Sequence, residues 1–225
     1  MSIKENIQHF QEKLEGTSCQ LIAVSKMHSV ALIQEAYEAG QRAFGENKVQ
    51  ELVAKQPELS ADIQWHLIGH LQTNKVKYIV PFVHMVQSVD SLKLLQEINK
   101  QALKHNRVMH CLLQFHIAEE DSKFGLTLEE AQEFLATDTC RAMENVRICG
   151  VMGVATFTQD QNQLKKEFRA LRSIFQTLKH GYFSSSEYFK EISMGMSSDY
   201  ELAIAEGSTM VRVGSALFGS RSYPV

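Results

Sequence analysis

Eight short apolar runs, each followed by a stretch of helical spacing, divide the 225 residues into units of about 28, close to the roughly 30 of a strand–helix–strand unit. A strand covered on both faces reads as a nearly continuous apolar run, and the helix after it shows apolar residues three and four apart. The first run is Leu21-Ile22-Ala23-Val24-Ser25-Lys26 and the second is Arg42-Ala43-Phe44-Gly45-Glu46-Asn47. The others span 63–68, 83–89, 108–115, 146–151, 189–194 and 210–213, with 108–115 the strongest. Ile3, Ile7, Phe10 and Leu14 mark a helix at about 3–15 ahead of the first run. Later helices carry their own signals. Ser29 stands as a cap. One helix stops before Pro57 and another near Pro81, because a proline restricts the residue before it. Ser91 or Asp90 caps a helix with Leu92, Leu95, Ile98 and Leu103 on its apolar side. Thr127 and Glu130 form a capping pattern, and Leu164, Phe168, Leu171, Phe175 and Leu178 line one face of 162–179.

An α/β chain with eight such units suits a closed (β/α)8 TIM barrel, read as a single domain over 1–225. A doubly wound open sheet has the same segment pattern, and periodicity does not distinguish the two. The apolar fraction of 44% supports a large core. The formal charge of -3 gives no whole-chain attraction to nucleic acid or to an anionic membrane. Cys19, Cys111, Cys140 and Cys149 lack the CxxC spacing of a structural metal site, and the nine histidines show no metal motif. No run approaches 18 apolar residues and the start lacks a signal-peptide pattern, so a reducing cytoplasm is the expected location.

The chemistry gathers where such a fold puts its ligands. Lys26 ends the first strand and faces a turn, at the C-terminal end where barrel sites lie. A lysine there is solvated, paired or covalently used, since an unpaired buried ammonium is expensive. The seventh strand leads into Met194-Gly195-Met196-Ser197-Ser198-Asp199 and the eighth into Arg212-Val213-Gly214-Ser215. Small, hydroxyl-bearing turns ahead of helices suit a phosphate, and barrels often bind one between strands seven and eight. The ordinary alternative is that Ser197, Ser198 and Ser215 are helix caps. Strand eight neighbours strand one in a barrel, so the simplest ligand joining Lys26 to these turns carries an aldehyde and a phosphate. Pyridoxal 5′-phosphate (PLP) is one such ligand, and a sugar phosphate in an aldolase is another.

Over nearly its whole length the chain resembles the pyridoxal phosphate homeostasis protein family. The resemblance rests on Ala23-Val24-Ser25-Lys26, on Phe44-Gly45-Glu46-Asn47 with Val49-Gln50-Glu51, and on Trp65-His66-Leu67-Ile68-Gly69 with Leu71-Gln72-Thr73-Asn74-Lys75. It continues in Ser122-Lys123-Phe124-Gly125, in the turn from Met194 to Asp199, and in the segment from Val211 to Gly219. Each piece alone is weak; their order and spacing together are specific. The chain departs from the family in having Ser215 for the usual threonine, Gln114-Phe115-His116 after strand five, and Met27-His28-Ser29 after Lys26.

The resemblance implies a PLP barrel of fold type III, like the N-terminal domain of alanine racemase. It implies a Schiff base at Lys26, with Asn47 near the cofactor and Ser197, Arg212, Gly214 and Ser215 at the phosphate end. It also implies a mostly monomeric protein that acts in vitamin B6 and amino-acid homeostasis without substantial turnover, with amino acids as further ligands. The competing readings are a PLP-dependent racemase or decarboxylase, a Schiff-base aldolase with Glu46 as its base, and a protein-binding module. His66 is read as either a barrel residue or a ligand-lining one, Met152 as core or as a ring contact, and Lys75 and Lys123 as mouth cations or plain surface lysines. His116 has no assigned role.

Overall fold

The computed structural model describes residues 2–119 and 124–219. Eight parallel strands close on themselves in chain order: β1 Gln20–Val24, β2 Ala43–Glu46, β3 Gln64–Leu67, β4 Met85–Val89, β5 Met109–Phe115, β6 Val146–Gly153, β7 Glu191–Ser193 and β8 Met210–Val213. Closure, which periodicity left open, is made by β8 pairing with β1 from Gln20↔Met210 to Ala23↔Val213. The open-sheet alternative is thereby excluded. The β7–β8 ladder is the weak seam, with Ser193↔Met210 as its register pair. Buried Ser208 reinforces it, its hydroxyl lying 2.8 Å from the Met194 carbonyl and 2.9 Å from that of Met210. Between β6 and β7, Gly150 has φ +154° and a side chain there would meet the Glu191 carbonyl at 1.8 Å, so only glycine permits this approach.

The helices form the outer layer: α1 Ile3–Leu14, α2 Val30–Glu38, α3 Val49–Lys55, α4 Val76–Ile79, α5 Leu92–Lys104, α6 Leu128–Leu135, α7 Asp138–Arg141, α8 Gln161–Gly181, α9 Tyr200–Ala205 and α10 Ser215–Phe218. Strand residues alternate between the helix layer and the lumen. Phe44, Trp65, Leu67, Val86 and Val211 pack outward in the main core. Ile22, Ala43, Met85, Leu112, Cys149, Met152 and Met210 fill the lumen as a second, smaller cluster.

Several local expectations change. Leu103 is exposed on α5, and Leu94 takes its place on the buried face. Leu94 lies four residues before Ile98 and belongs to the same stripe. β6 at eight residues outlasts β5 at seven, because it carries on through Met152 and Gly153. Ser29 makes no side-chain cap bond. The Thr127–Glu130 capping box forms in both directions.

Candidate functional site

Lys26 lies two residues past the end of β1, half-buried at the mouth. Asn47 follows β2 directly. Its place is set from the loop just past β3, where a side chain on Gly69 would meet the Asn47 carbonyl at 2.4 Å. Ser197 lies in the turn after β7, while Gly214 lies in the turn after β8 and Ser215 opens α10. These residues and Arg212 line one cavity of about 400 Å³ at the C-terminal mouth, together with Val24, Ile68, Val154, Phe157, Met196 and Ser198. That volume suits a small-molecule ligand.

The two turns are joined to each other, because the Gly214 N–H donates to Ser197 Oγ at 3.3 Å. None of the three serines is a helix cap. Asp199 occupies the cap position of α9 and Gly214 that of α10, which places Ser215 inside the first turn. The cavity therefore meets hydroxyls and opening N–H groups of α10 that have no intrahelical acceptor.

Arg212 sits lower, on the buried floor within β8. Its Nη1 donates to Ser193 Oγ at 2.7 Å and its Nη2 to the Gly153 carbonyl at 2.8 Å. Burial lowers the guanidinium pKa to about 10, with Asp199 opposing the shift, so it is charged at neutral pH. Below it a polar thread crosses the lumen. A guanidinium only donates, so Ser193 accepts from Arg212 and passes its own hydrogen to Gln87 Oε1 at 2.7 Å. Gln87 Nε2 then donates to His66 Nδ1 at 2.9 Å, which places the histidine's hydrogen on Nε2.

His66 is thus a barrel residue beneath the cavity, not part of its lining. Its ring lies 5.4 Å from that of His84, which lies 5.4 Å from that of His110. Among the described residues no group of three or more His, Cys, Asp or Glu could hold a metal. Met152 is fully buried in the lumen cluster, and Val154 is the residue of this segment that reaches the cavity. Lys75 is half-buried in a short 3₁₀ turn, Thr73–Lys75, and His116 is exposed. Lys123 lies outside the described residues. Ile68, Val154, Met196 and Phe157 were not singled out from the sequence. Their common signal is a place at or just past the C-terminal end of a strand.

Burial lowers the His66 pKa from 6.5 to about 3, and burial lowers those of His84 and His110 as well. The unfolded chain therefore binds more protons between those limits. The His66 contribution is fully present above about pH 6.5 and falls by roughly 1.4 kcal/mol per pH unit as the pH drops, and His84 and His110 act in the same sense. Glu46, whose pKa burial raises above 4.5, acts in the opposite sense near that value. Urea midpoints are expected to fall from pH 7 to pH 5, with a shallower fall in His66→Leu. An equal slope in wild type and variant would remove His66 from the account.

The model of the alanine racemase N-terminal domain matches residues 1–222. A pyridoxal phosphate homeostasis protein of Aquifex aeolicus is 36% identical over 224 residues, covering 98% of this chain and 96% of that one. The chain belongs to the pyridoxal phosphate homeostasis protein family. PipY of Synechococcus elongatus PCC7942 superposes with a TM-score of 0.90 at 38% identity in its structure without PLP. With PLP bound the values are 0.87 and 37%, and each comparison covers 97% of this chain and 100% of PipY. Alanine racemase of Bartonella henselae shares the fold, with a TM-score of 0.76 at 16% identity.

Proposed function

We propose that this member of the family binds PLP at the barrel mouth, holds it as a Schiff base on Lys26, and acts in intracellular PLP and amino-acid homeostasis without substantial turnover. The observation that carries the reading is the convergence of Lys26, Asn47, Ser197, Arg212, Gly214 and Ser215 on one cavity. The donor set suits this cofactor. An amine stands on one side, two joined turns of hydroxyls and N–H groups on another, and a charged guanidinium on the floor. When bound, PLP supplies an aldehyde that condenses with a lysine amine and releases one water. In this reading Ser197, Gly214 and Ser215 hold the phosphate with the Arg212 charge at the same end, and Asn47 lies near the ring. The protein works as a monomer in the cytoplasm, and amino acids are further ligands.

The side chains around the cavity support the reading without substantial turnover. A racemase needs a second acid or base on the face of the substrate opposite the lysine. Among the described tyrosines, Tyr37, Tyr78 and Tyr200 lie on α2, α4 and α9, Tyr182 at the end of α8, and Tyr188 before β7. None lines the cavity. Tyr223 lies outside the described residues.

The test is to load the protein with PLP, reduce it with borohydride and map the adduct by mass spectrometry. The adduct is expected on Lys26, and an adduct solely on another lysine would overturn the assignment. Incubation with amino acids in deuterated water, followed by chiral chromatography, is expected to give no sustained racemisation. Racemisation abolished by Lys26→Ala would establish the enzyme instead.

A further inference from the structure

Directly behind Lys26 lies a cluster of charged side chains that the cavity does not use. Ser25 is fully buried, and its hydroxyl donates to Glu46 Oε1 at 2.7 Å. Lys55 Nζ, from the last turn of α3, donates to the Ser25 carbonyl at 2.9 Å, to Glu46 Oε1 at 2.8 Å and to Glu51 Oε1 at 2.6 Å. Glu51 Oε1 also accepts from the Met27 N–H at 2.5 Å. Met27 has φ +64°, a left-handed conformation that a non-glycine residue rarely adopts. The two residues flanking Lys26 are therefore each pinned by the same ionic cluster, one through its hydroxyl and carbonyl and the other through its N–H.

We infer that Glu46, Glu51 and Lys55 are positioning residues that present the Lys26 amine to the mouth. The inference rests on the PLP reading above. Its physical basis is that a turn bent through a left-handed residue needs an external partner to persist. Glu51 supplies that partner at Met27, and Lys55 ties Glu51 to the strand end. A cluster of this kind costs desolvation, so an apolar core would serve stability at least as well. Glu46 shows that cost: it is fully buried, and Oε2 lacks a hydrogen-bond partner among the described residues. What the charges provide is directional hold on one backbone segment. Glu46 also immediately precedes Asn47, so the cluster fixes the lysine and the asparagine relative to each other.

The two-step course of PLP binding separates positioning from folding. In stopped-flow absorbance, Glu51→Ala is expected to slow formation of the covalent link to Lys26 by at least tenfold, since misplacing a reacting group by 1 Å costs on the order of 100-fold. Pyridoxamine 5′-phosphate lacks the aldehyde and reports the rest of the site; its affinity is expected to match wild type. Glu51→Gln keeps an acceptor for the Met27 N–H and should recover most of the rate. Glu46→Ala provides a second variant, with circular dichroism checking the fold of each. A link formed by Glu51→Ala as fast as by wild type would overturn the inference. So would a loss of pyridoxamine 5′-phosphate affinity in step with the rate, which would mark a general structural defect. A wild-type protein that forms no link would overturn the PLP reading itself and this inference with it.

Discussion

Lys26→Ala is expected to abolish the visible absorbance of protein loaded with PLP and to leave no borohydride-stable adduct. The side chain stands half-buried past β1, outside the helix-packed core, so its removal leaves the barrel intact. Non-covalent binding should persist at reduced affinity, because the turns after β7 and β8 and the floor arginine are untouched. Equilibrium dialysis alongside the spectrum separates the two effects. Undiminished visible absorbance in the variant would show that another lysine carries the link.

Arg212→Ala is expected to weaken PLP binding by roughly ten- to a hundredfold, since a hydrogen bond to a charged group is worth about 1.5–3 kcal/mol. The same change leaves Ser193 Oγ and the Gly153 carbonyl without their donor inside the lumen, at a further cost of about 1–3 kcal/mol in stability. Arg212→Lys serves as the control: it keeps the charge and loses the planar fork. Dialysis against PLP, with circular dichroism on each variant, gives the answer. Wild-type affinity in a folded Arg212→Ala protein would remove this side chain from the site.

The architecture could be read from the chain because each strand is short, apolar and followed by a helix with clear periodicity. β8 and α1 fall within a residue or so of where the pattern puts them. Strand ends were less legible. The seventh run shrank to Glu191–Ser193, and Phe189 ahead of it stacks with Phe175 and with Phe183. Closure was legible from the count of eight units and from the family resemblance but not from the periodicity, since it is a matter of which backbone groups pair. At the mouth, chemistry-bearing residues at strand ends could be named from the sequence, whereas the apolar lining could not. Val154 and Ile68 look like any core residue until the strand ends are known. The cluster behind Lys26 was hidden for another reason. Glu46, Glu51 and Lys55 lie in one short segment, and only the folded positions of β2 and α3 bring them to Ser25 and Met27.

The thread from Arg212 through Ser193 and Gln87 to His66 has a consequence for how the barrel holds its stagger. It joins β8, β7, β4 and β3 across the lumen, where the other fillers are mostly methionines and small aliphatics. Methionine adapts to many shapes, so such a filling discriminates poorly between neighbouring alignments of the strands. A slip of β4 by one residue would turn Gln87 toward the helices and bring Val86 or Ser88 into the lumen. Ser193 and His66 would both lose their partner in one move. Hydrogen bonds of fixed direction thus act as a key for the shear of the barrel. Because Arg212 is the topmost tooth of that key, the shape of the mouth is inherited from the alignment of strands on the far side of the barrel.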